Sequence, residues 1–212
     1  ESVVHACKNA GSKVDYAILD VKSKDEMRAW VTAVDDNAPL DLVIANAGVS
    51  GGTGSGGETE YQTRLIFETN IDGILNTVFP AADCMRTRKC GQIALVSSLA
   101  SFRRFTGAPA YSASKAAVRT YGEALRGALK DDGIGVSVIC PGFVESRMTA
   151  VNKYKMPFLM TAERAAAIIQ LGLAQNKARI AFPFPTYFLS WFLGSLSPAL
   201  TDPIFQILPK KE

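Results

Sequence analysis

Along most of the chain, short apolar runs alternate with longer stretches of helical period. The short runs fall at residues 14–19, 40–45, 92–96, 135–140 and, more weakly, 178–182, and their length predicts buried strands. Between the first two, Ser23 supplies an N-cap signal, and Asp25 and Glu26 occupy the first turn, where the helix dipole favours negative charge. Met27, Trp30, Val31 and Val34 form the apolar stripe of that helix. Longer helical patterns cover 58–88, broken near 69–73, and 109–130, stopped by the turn Asp131-Asp132-Gly133. At the start, Val3, Cys7 and Ala10 repeat at helical spacing and Gly11 stands where a C-cap belongs. This alternation predicts an α/β chain: a doubly wound parallel sheet with helices on both faces and right-handed crossovers. An opening helix that feeds a strand reads as the second half of a unit whose first half lies upstream. One domain is expected over residues 1–212, with a core at 1–184 and an apolar C-terminal extension at 185–212.

Composition narrows the class. With 48% hydrophobic and 20% charged residues over 212 positions, the chain can bury a substantial core, which excludes a disordered or coiled-coil protein. A net charge of +3 is too balanced for a nucleic-acid surface. Cys7, Cys84, Cys90 and Cys140 form no CxxC pair, which favours a reduced, cytoplasmic setting and supports no metal site. No signal peptide is visible.

Candidate chemistry gathers after the strands, where open parallel sheets bind ligands. Asp20, Asn46-Ala47-Gly48, Ser97-Ser98 and Pro141-Gly142 follow four different strand candidates. Each also has a plain structural reading: Asp20 as a turn before a helix, Asn46 and Gly48 as a turn with positive φ, and Pro141-Gly142 as a chain stop. Tyr111 and Lys115 share one helical face at i, i+4, and Ser98 precedes the tyrosine by 13 positions at a strand end. A free phenol titrates near 10, so proton transfer near neutrality requires a shift of about 3 units, or about 4 kcal/mol. One ammonium about 4 Å away supplies roughly that much at an effective dielectric near 20. An isolated YxxxK pair is more often a helix start followed by a solvated lysine. The glycine-rich stretch 51–57 has no following Gly-Lys-Ser/Thr and does not fit GxGxxG, so it reads as a surface loop beside the cleft.

Taken together, ANAG at 45–48, ETNIDG at 68–73, VSSLAS at 96–101, YSASK at 111–115 and PGFVESRM at 141–148 resemble the short-chain dehydrogenase/reductase family, a likeness that extends to about Phe184. The resemblance implies a Rossmann-like fold binding NAD or NADP and an enzyme that interconverts an alcohol and a ketone or aldehyde. It implies Tyr111 as catalytic acid and base, Lys115 on the nicotinamide ribose, Ser98 on the substrate oxygen and Asn70 holding a water relay. It also places Asp20 near the adenine, Asn46 and Gly48 beside the adenosine ribose, and Val144 and Ser146, after Pro141-Gly142, at the nicotinamide carboxamide. One departure stands out. The family's opening strand, its TGxxxGxG turn and the second strand that selects NAD or NADP are not within residues 1–212. Without that unit, the alternative is a catalytically silent nucleotide-binding or scaffold protein.

A hydrolase fits poorly, because there is no G-x-S-x-G elbow and the single histidine, His5, lies on the first helix. The tail concentrates Tyr187, Phe188, Leu189, Trp191, Phe192 and Leu193, but Pro183, Pro185 and Pro198 break it and it is too short to span a bilayer. Its readings are a substrate lid, a subunit contact, a partly buried helix or, less favoured, peripheral membrane contact; it also hints at an apolar substrate. Small residues Ala110, Ala113, Ala117 and Ala124 would allow close helix approach, and the resemblance implies a homodimer or homotetramer.

Overall fold

The computed structural model describes residues 2–51, 58–103, 107–152 and 155–207. All of the glycine-rich stretch except Gly51 lies outside them. In chain order the elements are α1 (Ser2–Asn9), α2 (Lys24–Asn37), β1 (Leu42–Ala45), α3 (Glu60–Phe67), a π turn (Glu68–Asp72), α4 (Gly73–Arg88), β2 (Gly91–Val96) and a 3-10 turn (Leu99–Phe102). They continue with α5 (Pro109–Ala128), β3 (Ile134–Pro141), α6 (Arg147–Ala150), α7 (Ala162–Ala174), β4 (Arg179–Phe182), α8 (Phe184–Ser195) and α9 (Pro198–Ile207).

The four strands form one parallel sheet in the order β1-β2-β3-β4, with Ala45 opposite Leu95 and Val96 opposite Ile139. Parallel strands buried on both faces require apolar residues throughout, and Ile93, Ala94 and Leu95 are all fully buried. Ile93 and Leu95 join Met27 and Val31 of α2, Ile74 and Val78 of α4 and Val118 of α5 on one side. Ala94 and Ile139 meet Ala165 and Leu173 of α7 on the other. The expected layering of helices on both faces is therefore present.

Two expectations are corrected. Residues 14–19 form no strand: they are irregular, and Ile18 is 93% exposed. A strand exists through its ladder, and among the described residues nothing pairs with this segment or with the outer side of β1, so its apolar residues have no sheet to join. The interruption expected near 69–73 is a π turn rather than a break, in which the Gly73 N–H donates to the Glu68 carbonyl five residues back.

Capping follows the sequence in part. Ser23 sits at the N-cap of α2 in extended geometry, yet its side chain makes no capping bond. Thr59 and Gln62 instead build a complete capping box on α3. Glu58 reaches across to accept from the Ala110 N–H at 2.8 Å, satisfying one free donor in the first turn of α5. Along α5, Ala110 is buried, while Ala113, Ala117 and Ala124 form an exposed small-residue stripe.

Helix α5 approaches the sheet closely at Gly122, where a Cβ would stand 2.6 Å from Val138 Cγ2 and 3.3 Å from Leu95 Cδ1. Gly122→Val should therefore push α5 off β3 and cost about 1–3 kcal/mol, read as a lowered urea midpoint.

Candidate active site

Because every strand runs the same way, the segments that follow them emerge at one edge of the sheet. There they enclose a cleft of about 870 Å³. Its walls include Asn46 and Gly48 after β1, Ser98 after β2, and Pro141, Gly142, Val144 and Ser146 at the end of β3 and beyond. The first two turns of α5 add Tyr111 and Lys115, and α8 adds Thr186 and Ser190.

Lys115 is 3% exposed, and its ammonium donates to the Val96 carbonyl at 2.9 Å. Burial dominates its electrostatics and pulls its pKa down to about 8, with the Cys140 thiol acting weakly in the opposite direction. Its Nζ lies 5.9 Å from the centre of the Tyr111 ring, as expected for neighbours one helical turn apart. The Ser97 hydroxyl donates to the Lys115 carbonyl at 2.7 Å, securing the helix at this point. Beneath the lysine, burial pushes the Cys140 thiol up to about 11, which makes it a poor nucleophile.

Gly48 faces the same ammonium. A Cβ there would stand 3.1 Å from Lys115 Nζ and 3.2 Å from Asn70 Oδ1. Its φ is not positive, so the glycine serves this close approach rather than the left-handed turn considered from the sequence.

The π turn carries Asn70, which is fully buried. Its amide accepts from the Val49 N–H at 2.8 Å and donates to the Val49 carbonyl at 3.0 Å. It also donates to the Ser114 hydroxyl at 3.0 Å, and that hydroxyl donates to the Tyr111 carbonyl at 2.9 Å. The Asn70 side chain thus ties the loop after β1 to the helix that carries Tyr111.

Ser98 is half-buried at the N-cap of the 3-10 turn, where its Oγ accepts from the Ala100 N–H at 3.1 Å. That bond occupies a lone pair and leaves the hydroxyl proton for the cleft. Ser146 is exposed and forms a capping box with Thr149 on α6, and the Thr149 hydroxyl donates to the Val144 carbonyl at 2.8 Å. The Gly142 N–H donates to the Phe182 carbonyl at 2.7 Å, which fixes the chain as it leaves β3.

The cleft brings together Asn46, Gly48, Ser98, Tyr111, Lys115, Pro141, Gly142, Val144 and Ser146, with Asn70 directly behind. Asp20 is outside its walls. It accepts from the Lys22 N–H at 3.0 Å and its carbonyl takes the Ser23 N–H at 2.8 Å, the turn geometry of its structural reading. Ser97 was legible by its place after β2 but not as a support, and the role of Ser114 was missed because its burial and its bond to Asn70 exist only in the fold. Thr186 and Ser190 gave no such signal, since only the path of α8 places them on the cleft.

A family model described as short chain dehydrogenase matches residues 1–156. The chain belongs to the short-chain dehydrogenase family. Enzymes of this family act on CH–OH groups with NAD or NADP, and this short-chain dehydrogenase is an NAD(P)-dependent oxidoreductase. It is 41% identical over 206 residues to an uncharacterized oxidoreductase from Myxococcus xanthus, covering 95% of this chain and 79% of the relative. Over 212 residues it is 30% identical to ketoacyl reductase HetN from a Nostoc species, covering 95% and 74%. In fold it matches a putative short-chain dehydrogenase from Novosphingobium aromaticivorans with a TM-score of 0.76 at 21% identity, covering 100% of this chain and 74% of the other. It also matches the apo form of LigD from Sphingobium with a TM-score of 0.74 at 24% identity, covering 98% and 82%. Among the described residues, no helix is long and apolar enough to cross a membrane.

The buried ammonium has a thermodynamic signature. The folded protein holds Lys115 near 8 while its ordinary value is 10.5, so the unfolded chain binds the proton more tightly and protonation opposes folding. The cost, about 3 kcal/mol, is full below pH 8 and disappears as pH rises toward and past 10.5. Lys115→Met should therefore gain stability relative to the parent at pH 7, and that advantage should shrink by about 3 kcal/mol by pH 11, as read from urea unfolding at a series of pH values.

Proposed function

We propose that this short-chain dehydrogenase interconverts an alcohol and a ketone or aldehyde, with Tyr111 as the proton carrier. The observation that carries the reading is the convergence on one cleft of the Tyr111 phenol, the Ser98 hydroxyl and the buried Lys115 ammonium, brought from a strand end and a helix start. The residues present fit a nicotinamide dinucleotide. A cleft of about 870 Å³ suits a flat ring and a small substrate side by side, and Ser98, Tyr111 and Lys115 line it with polar groups that would hold them. When bound, the dinucleotide supplies or accepts the hydride.

In the reductive direction, the Tyr111 hydroxyl gives its proton to the substrate oxygen as negative charge develops there, and in the oxidative direction it takes that proton back. The Ser98 hydroxyl, oriented by the Ala100 N–H, donates a hydrogen bond to the same oxygen. One Lys115 N–H is held by Val96, so the others are available to the nicotinamide ribose, and its positive charge favours the phenolate form of Tyr111. Asn46 and Gly48 would flank the adenosine ribose, and Val144 and Ser146 would meet the carboxamide. Asp20 would approach the adenine from outside the present cleft walls. Asn70 acts as a positioning residue through Val49 and Ser114.

Some relatives are named ketoacyl reductases, so 3-oxoacyl thioesters belong in a substrate panel beside simple ketones and alcohols. Tyr111→Phe should lower turnover by about 10²–10⁴-fold while the affinity for the dinucleotide stays within a few-fold, measured by nicotinamide absorbance and by fluorescence titration. Near-full activity in that variant would remove Tyr111 from the role of proton carrier.

A further inference from the structure

Helix α8 has two unlike faces. Inward, Tyr187 packs edge-on against Phe102 and accepts from Arg179, while Thr186 and Ser190 line the cleft. Outward, Phe184, Phe188, Leu189, Trp191 and Phe192 are 71%, 52%, 52%, 49% and 46% exposed. The outer rings are spaced by three and four residues and touch along the helix: Phe188 lies 6.3 Å from Phe184, 6.1 Å from Trp191 and 6.4 Å from Phe192, centre to centre. From Pro183 to Thr201 the chain carries no charged residue. An apolar, uncharged helix left half open to water calls for a cover.

We propose that α8 docks the protein on an anionic lipid bilayer, its aromatic face lying in the interface. Area argues against a second copy as the cover. About half of five large side chains amounts to on the order of 500 Å², within the range of the largest apolar patch on a monomer, which is often functional, but short of the ~800 Å² that each partner of a stable dimer buries. Charge argues for the bilayer. Residues 141–212 hold eight Lys and Arg against four Asp and Glu, a net +4, whereas residues 1–140 hold fifteen against sixteen, a net −1. The positive charge thus accumulates on the part of the chain that carries the aromatic face. Aromatic rings and basic side chains together are what binds a helix to anionic headgroups without crossing the membrane. The geometry then sets the cleft and the bilayer on opposite faces of one helix.

The test is co-sedimentation of the whole protein with phosphatidylcholine vesicles and with mixed phosphatidylglycerol–phosphatidylcholine vesicles, a readout that needs no turnover. The expected result is binding to the mixed vesicles that added salt weakens, that falls about tenfold or more in Phe188→Ser/Trp191→Ser, and that blue-shifts Trp191 emission in a Trp30→Phe background. Far-UV circular dichroism checks that the double variant folds. If it does not, Phe184→Ser, at the most exposed position on the face, is read in the same way. No association with the mixed vesicles, equal binding by the folded variant, or a dimer in solution that the variant dissociates in the absence of vesicle binding would each overturn the proposal.

Discussion

A buried cation with no carboxylate partner among the described residues organises this molecule. Lys115 reaches the interior from the second turn of α5, and its hydrogen bond to the last carbonyl of β2 compensates only part of the lost hydration. An uncompensated charge is an expensive thing to keep in a core, and the surrounding parts are arranged to hold it in one place. Glycine at position 48 makes room for it, Ser97 ties down its main chain, and β3 supplies an apolar floor at Cys140. A lysine held this way has few rotamers left to lose when a ligand engages it, which is how a scaffold pre-organises a site.

The π turn has its meaning in the same context. Asn70 spends its amide on both polar groups of Val49 and on Ser114, so three separate chain segments share one buried side chain. An ordinary helical turn would continue the i, i−4 ladder through this point. The widened turn instead accompanies a fully buried asparagine whose bonds run away from its own helix. Because a half-satisfied amide would cost more than an apolar residue of similar size, the arrangement persists only if all three bonds form together. The loop after β1 and the start of α5 are thereby set in a fixed relation, and the cleft lies between them.

Helix α8 extends the domain rather than trailing from it. It begins at Phe184, rests on the 3-10 turn through Tyr187 and contributes Thr186 and Ser190 to the cleft. The tail and the site are therefore mechanically joined. A disturbance on the outer face of α8 has a short path to the cleft.

Much of this was legible in the residues themselves, because burial on both faces demands continuous apolar strands and helices advertise their period. Four of the five strand runs, the two long helices and the set Asn46, Gly48, Ser98, Tyr111 and Lys115 could be read in this way, as backbone period and strand direction alone send their positions to one edge. Residues 14–19 have the composition of a strand, yet a strand is a relation between two segments, and composition cannot supply the neighbour. Gly48 was legible as a glycine but not for its reason, which is the approach of an ammonium 67 residues away in the chain. The same holds for Asn70, Ser114, Thr186 and Ser190, whose roles consist of contacts across the fold. Local pattern determined which elements form and which chemical groups sit at their ends. Only the packing of distant segments decided which of those groups are buried, what they bond and which of them face one another.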